Sequence, residues 1–162
     1  MSHASRFVGS LALILAVMAT SVLPQSASAE DSVSFTRRGS VYEDVRIDLE
    51  NAVIAEGLKI DYSGNIAAML QRTGPDVGSN QPVYQHAEFI MFCSAKLSRA
   101  MMEADPTNMS KCPYVVFIYQ RAATTKEIVV GYRKVEVSGR GAKALEEINK
   151  LLDRIVRAAA KS

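Results

Sequence analysis

YVVFIYQRAATTKEIVVGYRKVEV, residues 114 to 137, is the stretch on which the fold turns. Two runs rich in β-branched and aromatic side chains, Tyr114 to Gln120 and Glu127 to Val137, flank the polar linker RAATTK. Such side chains suit a pleated, half-buried surface, and a polar connection between two such runs folds them into an antiparallel hairpin. Gly139-Arg140-Gly141 then breaks the chain ahead of a helix from Ala142 to about Ala160. Leu145, Ile148, Leu152, Ile155, Val156 and Ala159 recur at i, i+3, i+4, i+7 along that helix, with charge on its other faces. An apolar stripe of this kind must be buried, and the hairpin's sheet is the surface it calls for.

Working back toward the amino end, His86 to Phe92 (HAEFIMF) is a strand too apolar to have one solvated face, which places it inside the sheet. Ser94 caps a helix running to Ala104, with Leu97, Ala100, Met101 and Ala104 on one stripe and Asp105-Pro106 as its stop. TGPDVGSNQP, residues 73 to 82, is dense in turn formers and reads as an exposed loop. Before it, Ser63 to Arg72 suggests a short helix with Ile66, Met69 and Leu70 facing inward, and Leu58, Ile60 and Tyr62 alternate as in a strand.

Ser40 with Glu43 three residues on forms a capping-box pattern. It opens a helix carrying Val41, Val45, Leu49, Ala52 and Val53 on one face, with Gly57 at its left-handed end. Ser34 to Arg38 reads as a short first strand. The expected class is α+β, a mostly antiparallel sheet with helices packed on one face as a two-layer sandwich.

The chain begins MSHASRFVGSLALILAVMATSVLPQSASAED. Arg6, the apolar run Phe7 to Leu23, Pro24 and Ala27-Ser28-Ala29 have the order of a cleavable secretory signal peptide, residues 1 to 29. Residues 30 to 162 then form one domain in a periplasmic or secreted setting, long enough to bury a core of its own. Its 18 Lys and Arg balance 17 Asp and Glu, so no electrostatic footprint for nucleic acid is present, and no segment after cleavage is expected to engage a membrane.

Both cysteines fall within FCSAKLSRAMMEADPTNMSKCP, residues 92 to 113. Cys93 closes one expected strand and Cys112 precedes the next, and if those strands are neighbours the pair comes within reach of a disulfide. Two separate buried thiols are the plain alternative. A redox pair is a third, although catalysis of that kind usually takes C-x-x-C at a helix start. A soft copper(I) site drawn from His86, Cys93, Cys112 and Met91, with Met101, Met102 and Met109 in the same region, is a fourth. His86 and Cys93 are an odd number apart, so a regular strand points them to opposite faces.

Gly139, Arg140 and Gly141 could hold an anion at the start of the final helix, or serve simply as its hinge. Glu103 and Asp105 form no acid–base pair with a visible partner. The chain has no G-x-G-x-x-G, P-loop, G-x-S-x-G or H-E-x-x-H, and so no linear catalytic signature.

CSAKLSRAMMEADPTNMSKCPYVVFIYQ, Cys93 to Gln120, resembles the bacterial domain-of-unknown-function family numbered 302, a small α+β domain of the TT type. The resemblance rests on Cys93 at the end of a strand, Lys96-Leu97, Ala104-Asp105-Pro106, Pro113 and the Val-rich strand Val115 to Tyr119. It reaches back through Glu56-Gly57-Leu58 and covers roughly residues 33 to 135. Ser94-Ala95 stands where the family pattern has an Asn-Pro-like pair, and Cys112 precedes Pro113 where many members have Leu. The resemblance implies a compact α+β domain, often paired as a homodimer, with no established activity and no cofactor.

The functional expectation is a binding module, which could act as a homodimer, holding either a small ligand in the groove between sheet and helices or a protein partner. A periplasmic thiol-redox or copper-handling protein using Cys93 and Cys112 is the alternative. An enzyme whose site has no linear motif is a third reading.

Overall fold

The structure, a computed structural model, describes residues 31 to 123 and 126 to 161. The signal peptide read at residues 1 to 29 lies outside the described residues.

The expected hairpin is the middle of the molecule. Strands β4 (Tyr114–Arg121) and β5 (Glu127–Arg133) pair antiparallel with Phe117 opposite Gly131. The strand β1 (Ser32–Arg38) adds to the outer side of β5, and β3 (Tyr84–Phe92) to the outer side of β4. With β2 (Tyr62–Asn65) on the far edge, the sheet has the order β1-β5-β4-β3-β2 and every pair is antiparallel.

Three helices, α1 (Tyr42–Ala55), α3 (Ala95–Ala104) and α4 (Ala142–Lys161), share one core with one face of this sheet. The stripe on α4 is buried from Leu145 through Ala159 and packs on β1, β5, α1 and α3. Against it stand Val45, Leu49 and Val53 of α1 and the alternate residues Ile90, Val116, Ile118, Ile128 and Val130 of the sheet. Each such side chain contributes about 2 kcal/mol when removed from water, which is why the stripe dictates the layer. The space between sheet and helices, where a small-ligand groove was expected, is filled by these side chains.

Several local expectations are corrected. The helix α1 starts one residue later than a Ser40 cap requires: Val41 holds the cap position without a side-chain bond. Glu43 instead receives the Arg46 guanidinium at 2.6 Å, so its carboxylate is engaged along the helix and not turned back to Ser40. The far-edge strand begins at Tyr62, because Leu58 and Ile60 pack partly on the core but the backbone joins β3 only at Asp61, whose N–H donates to the Met91 carbonyl. The short helix α2 (Ile66–Thr73) buries none of its residues, with Met69 and Leu70 both exposed. It packs beside β3 and outside the core that α1, α3 and α4 share. On α3 the buried positions are Ser98 and Met101, and Ala100 faces water.

The hairpin's second arm was expected to run to Val137, yet β5 stops at Arg133. Lys134 donates its N–H to the Asp31 carbonyl, and the chain then turns onto α4. There Asn149 supplies what a neighbouring strand would have. Its Oδ1 accepts from the Val135 N–H at 2.8 Å and its Nδ2 donates to the Val135 carbonyl at 2.7 Å. Asn149→Ala leaves the Val135 N–H and carbonyl without these partners, and is expected to lower unfolding stability by about 3 kcal/mol in urea titrations. The neighbouring exposed change Lys150→Ala is expected to stay within about 0.5 kcal/mol.

Candidate functional site

The three long helices α1, α3 and α4 share their core with one side of the sheet. On the other side the register aligns Phe89, Phe117 and Gly131 across three strands, with Met91 beside Val115 in one direction and Ala87 beside Tyr119 and Val129 in the other. These residues form a continuous apolar face, in which Phe89, Met91, Phe117 and Tyr119 are half-buried and Ala87, Val115, Val129 and Gly131 are buried between them. Two glycines make it flat. A Cβ at Gly64 would run into the Phe89 ring, and one at Gly131 into the Phe117 ring, so each ring lies down over a glycine.

The aromatic side chains extend into a row. Tyr62 meets Phe89 at 5.9 Å between ring centres, Phe117 stacks on Tyr119 at 6.2 Å, and Tyr119 meets the edge of Tyr84 at 5.5 Å. The Arg121 guanidinium sits 5.6 Å from the Tyr119 ring centre and closes one end. At the other end a groove of about 820 Å³ runs past Phe89, Met91, Val115 and Phe117 to Cys112-Pro113 and Arg133. Ile66 of α2 borders the same groove. Toward β1 the face turns polar at Ser32, Ser34 and Thr36.

This surface was not named from sequence, although its signal is present. YVVFIY and HAEFIMF lack the polar alternation of a strand with a wet side. That pattern establishes that both sides of a strand are apolar, but not that the protein covers only one of them.

Cys93 and Cys112 are joined in a disulfide, with their Cα atoms 6.4 Å apart. The bridge links the residue that follows β3 to Cys112, two residues ahead of β4, closing the segment that contains α3. Just inside it, the Ser98 and Tyr114 hydroxyls meet at 2.8 Å, and the Tyr114 ring packs edge-on against Phe92. With their sulfurs bonded to each other the cysteines offer no thiolate, so a redox or copper role for them would require the bridge to open.

The remaining sequence candidates are spread apart. His86 stacks on Tyr42 at 4.5 Å on the helix side of the sheet, while Met91 belongs to the open face. Met101 is buried in the core, and Met109 is exposed. No group of three or more His, Cys, Asp or Glu with metal-holding geometry occurs among the described residues.

Gly139 and Gly141 both adopt left-handed backbone, and Arg140 is held twice. Its guanidinium reaches Asp105 at 3.3 Å, and its carbonyl accepts from the buried Asn108 side chain at 2.9 Å. The same Asn108 amide donates to the Met101 carbonyl, so the motif sits as a hinge docked on α3. Glu103 pairs with Arg99 along α3, away from Asp105.

Titratable groups are shifted at the helix seams. Burial raises the Tyr42 phenol, reinforced by the charge of Glu88, to which Tyr42 donates at 3.4 Å. Burial likewise raises Tyr114. The bidentate hydrogen bonds from Arg154 of α4 hold the Glu56 carboxyl below its ordinary value, and Lys111 does the same for Glu136.

A family model, Domain of unknown function DUF302, matches residues 34 to 161. Among solved structures, the crystal structure of an uncharacterized conserved DUF302 protein from Bacillus stearothermophilus superposes with a TM-score of 0.65 at 12% identity, covering 81% of this chain and 99% of that one. At that identity the likeness concerns the fold. No curated protein matches.

Removing the bridge, by reduction or as Cys93→Ala with Cys112→Ala, releases a closed loop with a sequence separation of 19 residues. The expected loss is about 3 kcal/mol on the chain-entropy account, read as a fall in melting temperature of roughly 10 °C. The pH dependence has two arms. Carboxyls depressed in the folded state, such as Glu56, stabilise above their unfolded value, and that contribution disappears as pH falls through the folded values. Tyrosines raised in the folded state stabilise below about pH 10, and theirs disappears as pH climbs above it. Urea midpoints are therefore expected to be flat between about pH 5 and pH 9 and to fall on both sides.

Proposed function

The chain belongs to the DUF302 family, and from that premise we propose that it is a non-enzymatic binding module of the bacterial envelope whose working surface is the open face of its sheet. The observation that carries the reading is the flat row Phe89, Phe117 and Gly131, flanked by Met91, Val115 and Tyr119, with the long helices α1, α3 and α4 packed on the opposite side. Contiguous apolar surface of this kind is rare on a protein that works alone.

The first partner proposed for it is a second copy. A strip without charge along its middle is complementary to itself, and a two-fold related pair uses the same patch on both subunits. Two sheets stacked about 10 Å apart bury both faces at once, in the manner of a β-sandwich. Stable interfaces bury roughly 800 Å² per partner, which sets the extent of sheet that the pairing has to cover. The signal-peptide pattern at residues 1 to 29 and the Cys93–Cys112 bridge support an oxidising, extracytoplasmic setting.

Phe117→Glu places a charge in the centre of the strip without entering the helix-side core. The wild-type protein is expected to sediment as a dimer at micromolar concentration, and the variant as a monomer with an unchanged far-ultraviolet dichroism spectrum. A wild-type monomer at near-millimolar concentration would remove the homodimer reading.

A further inference from the structure

A second concavity lies on the opposite edge from β1, and its chemistry differs from that of the sheet face. It is a groove of about 510 Å³ between α2 and the returning segment Ser79 to His86. Its walls are fixed by backbone bonds. The Ser79 N–H donates to the Gly74 carbonyl at 2.9 Å, and the Val83 carbonyl accepts from the Ala122 N–H at 3.2 Å. Gly74 approaches the Ser79 backbone so closely that a side chain there would collide with it. The segment is thus a formed wall beside the helix.

The lining is unusual in composition. Gln71, Asn80, Gln81 and Gln85 bring four carboxamides, and Asn65 a fifth, while no Lys, Arg, Asp or Glu takes part. Asn65 is used as the cap of α2, accepting from the Ala68 N–H at 2.8 Å. The side chains of the other four make no hydrogen bond within the protein among the described residues. Between them stand Pro82, the exposed Val83 and the Tyr84 ring.

A carboxamide offers two donors and an acceptor with two lone pairs in one plane, which matches the paired donor and acceptor character of vicinal hydroxyls. A phosphate, sulfate or carboxylate ligand would want the guanidinium of Arg or the ammonium of Lys, and the lining has neither, its one basic side chain being the His86 imidazole, which is stacked on Tyr42. Apolar side chains beside the amides suit the C–H face of a sugar ring. We infer that this groove is a binding site for neutral saccharide. It adjoins the sheet face at Tyr84, which belongs to both, but does not depend on that face pairing with a second copy.

The test is titration of the ¹⁵N-labelled, disulfide-intact protein with chitotriose and maltotriose, alongside trigalacturonate as the charged control and triglycine as the peptide control. At least one neutral trimer is expected to give saturable shifts at the backbone amides of Ala67, Gln71, Asn80, Gln81 and Gln85. Gln71→Ala combined with Asn80→Ala is expected to weaken it about tenfold or more at an unchanged unfolding midpoint. Gln81→Ala with Gln85→Ala serves as a second pair should the first disturb the fold. The monomeric Phe117→Glu protein is expected to bind equally well, which separates this site from the sheet-face reading. Absence of saturation by both neutral trimers up to about 10 mM overturns the inference, as do equal shifts with triglycine or trigalacturonate.

Discussion

The seat of α4 on the sheet is the contact from which the rest of the architecture follows. Leu145, Ile148, Leu152, Ile155 and Val156 enter the layer between β1, β5 and α1, and the chain on either side adjusts to keep them there. Asn149, on the same helix, gives Val135 the hydrogen bonds that a longer β5 would have found in a neighbouring strand. Arg154 reaches back to Glu56 at the end of α1, fastening the two helices. Polar residues of α4 thus align the contact that its apolar residues drive.

This arrangement spends all three large helices on one side of the sheet. A five-stranded sheet of Val, Ile, Phe and Tyr has two apolar faces, and α2, the one short helix beside β3, buries none of its residues. Gly64 and Gly131 let the Phe89 and Phe117 rings lie flat. Upright rings would have made a ridged surface suited to interdigitation with helices. Flattened rings make one suited to another plane.

Large parts of this were legible beforehand. The hairpin, the α4 stripe, the Ser94 cap and the Asp105-Pro106 stop could be read because each depends on residues close together in sequence. What was misread depends on a competing local partner or on distant ones. The Ser40 and Glu43 pattern failed because Arg46 competed for the carboxylate, and the inward side of α2 was assumed before the sheet's uncovered face was known. The apolar face itself is the clearest case: alternate residues of three separate strands compose it, and only the register Phe89–Phe117–Gly131 brings them together. The four carboxamides are likewise split between a helix and the segment leading into β3, a grouping that no linear motif records.

Arg37 joins β1 to the far end of the chain, donating to Asp48 of α1 and to the carbonyl of Ala159, 122 residues away. The Asn108 amide similarly binds Arg140, at the entrance to α4. The first strand and the last helix therefore close the molecule like the two ends of a belt. A polypeptide emerging amino end first cannot complete its core until the final twenty-residue helix has appeared. Until then it remains an open chain dominated by contacts distant in sequence, which fold slowly.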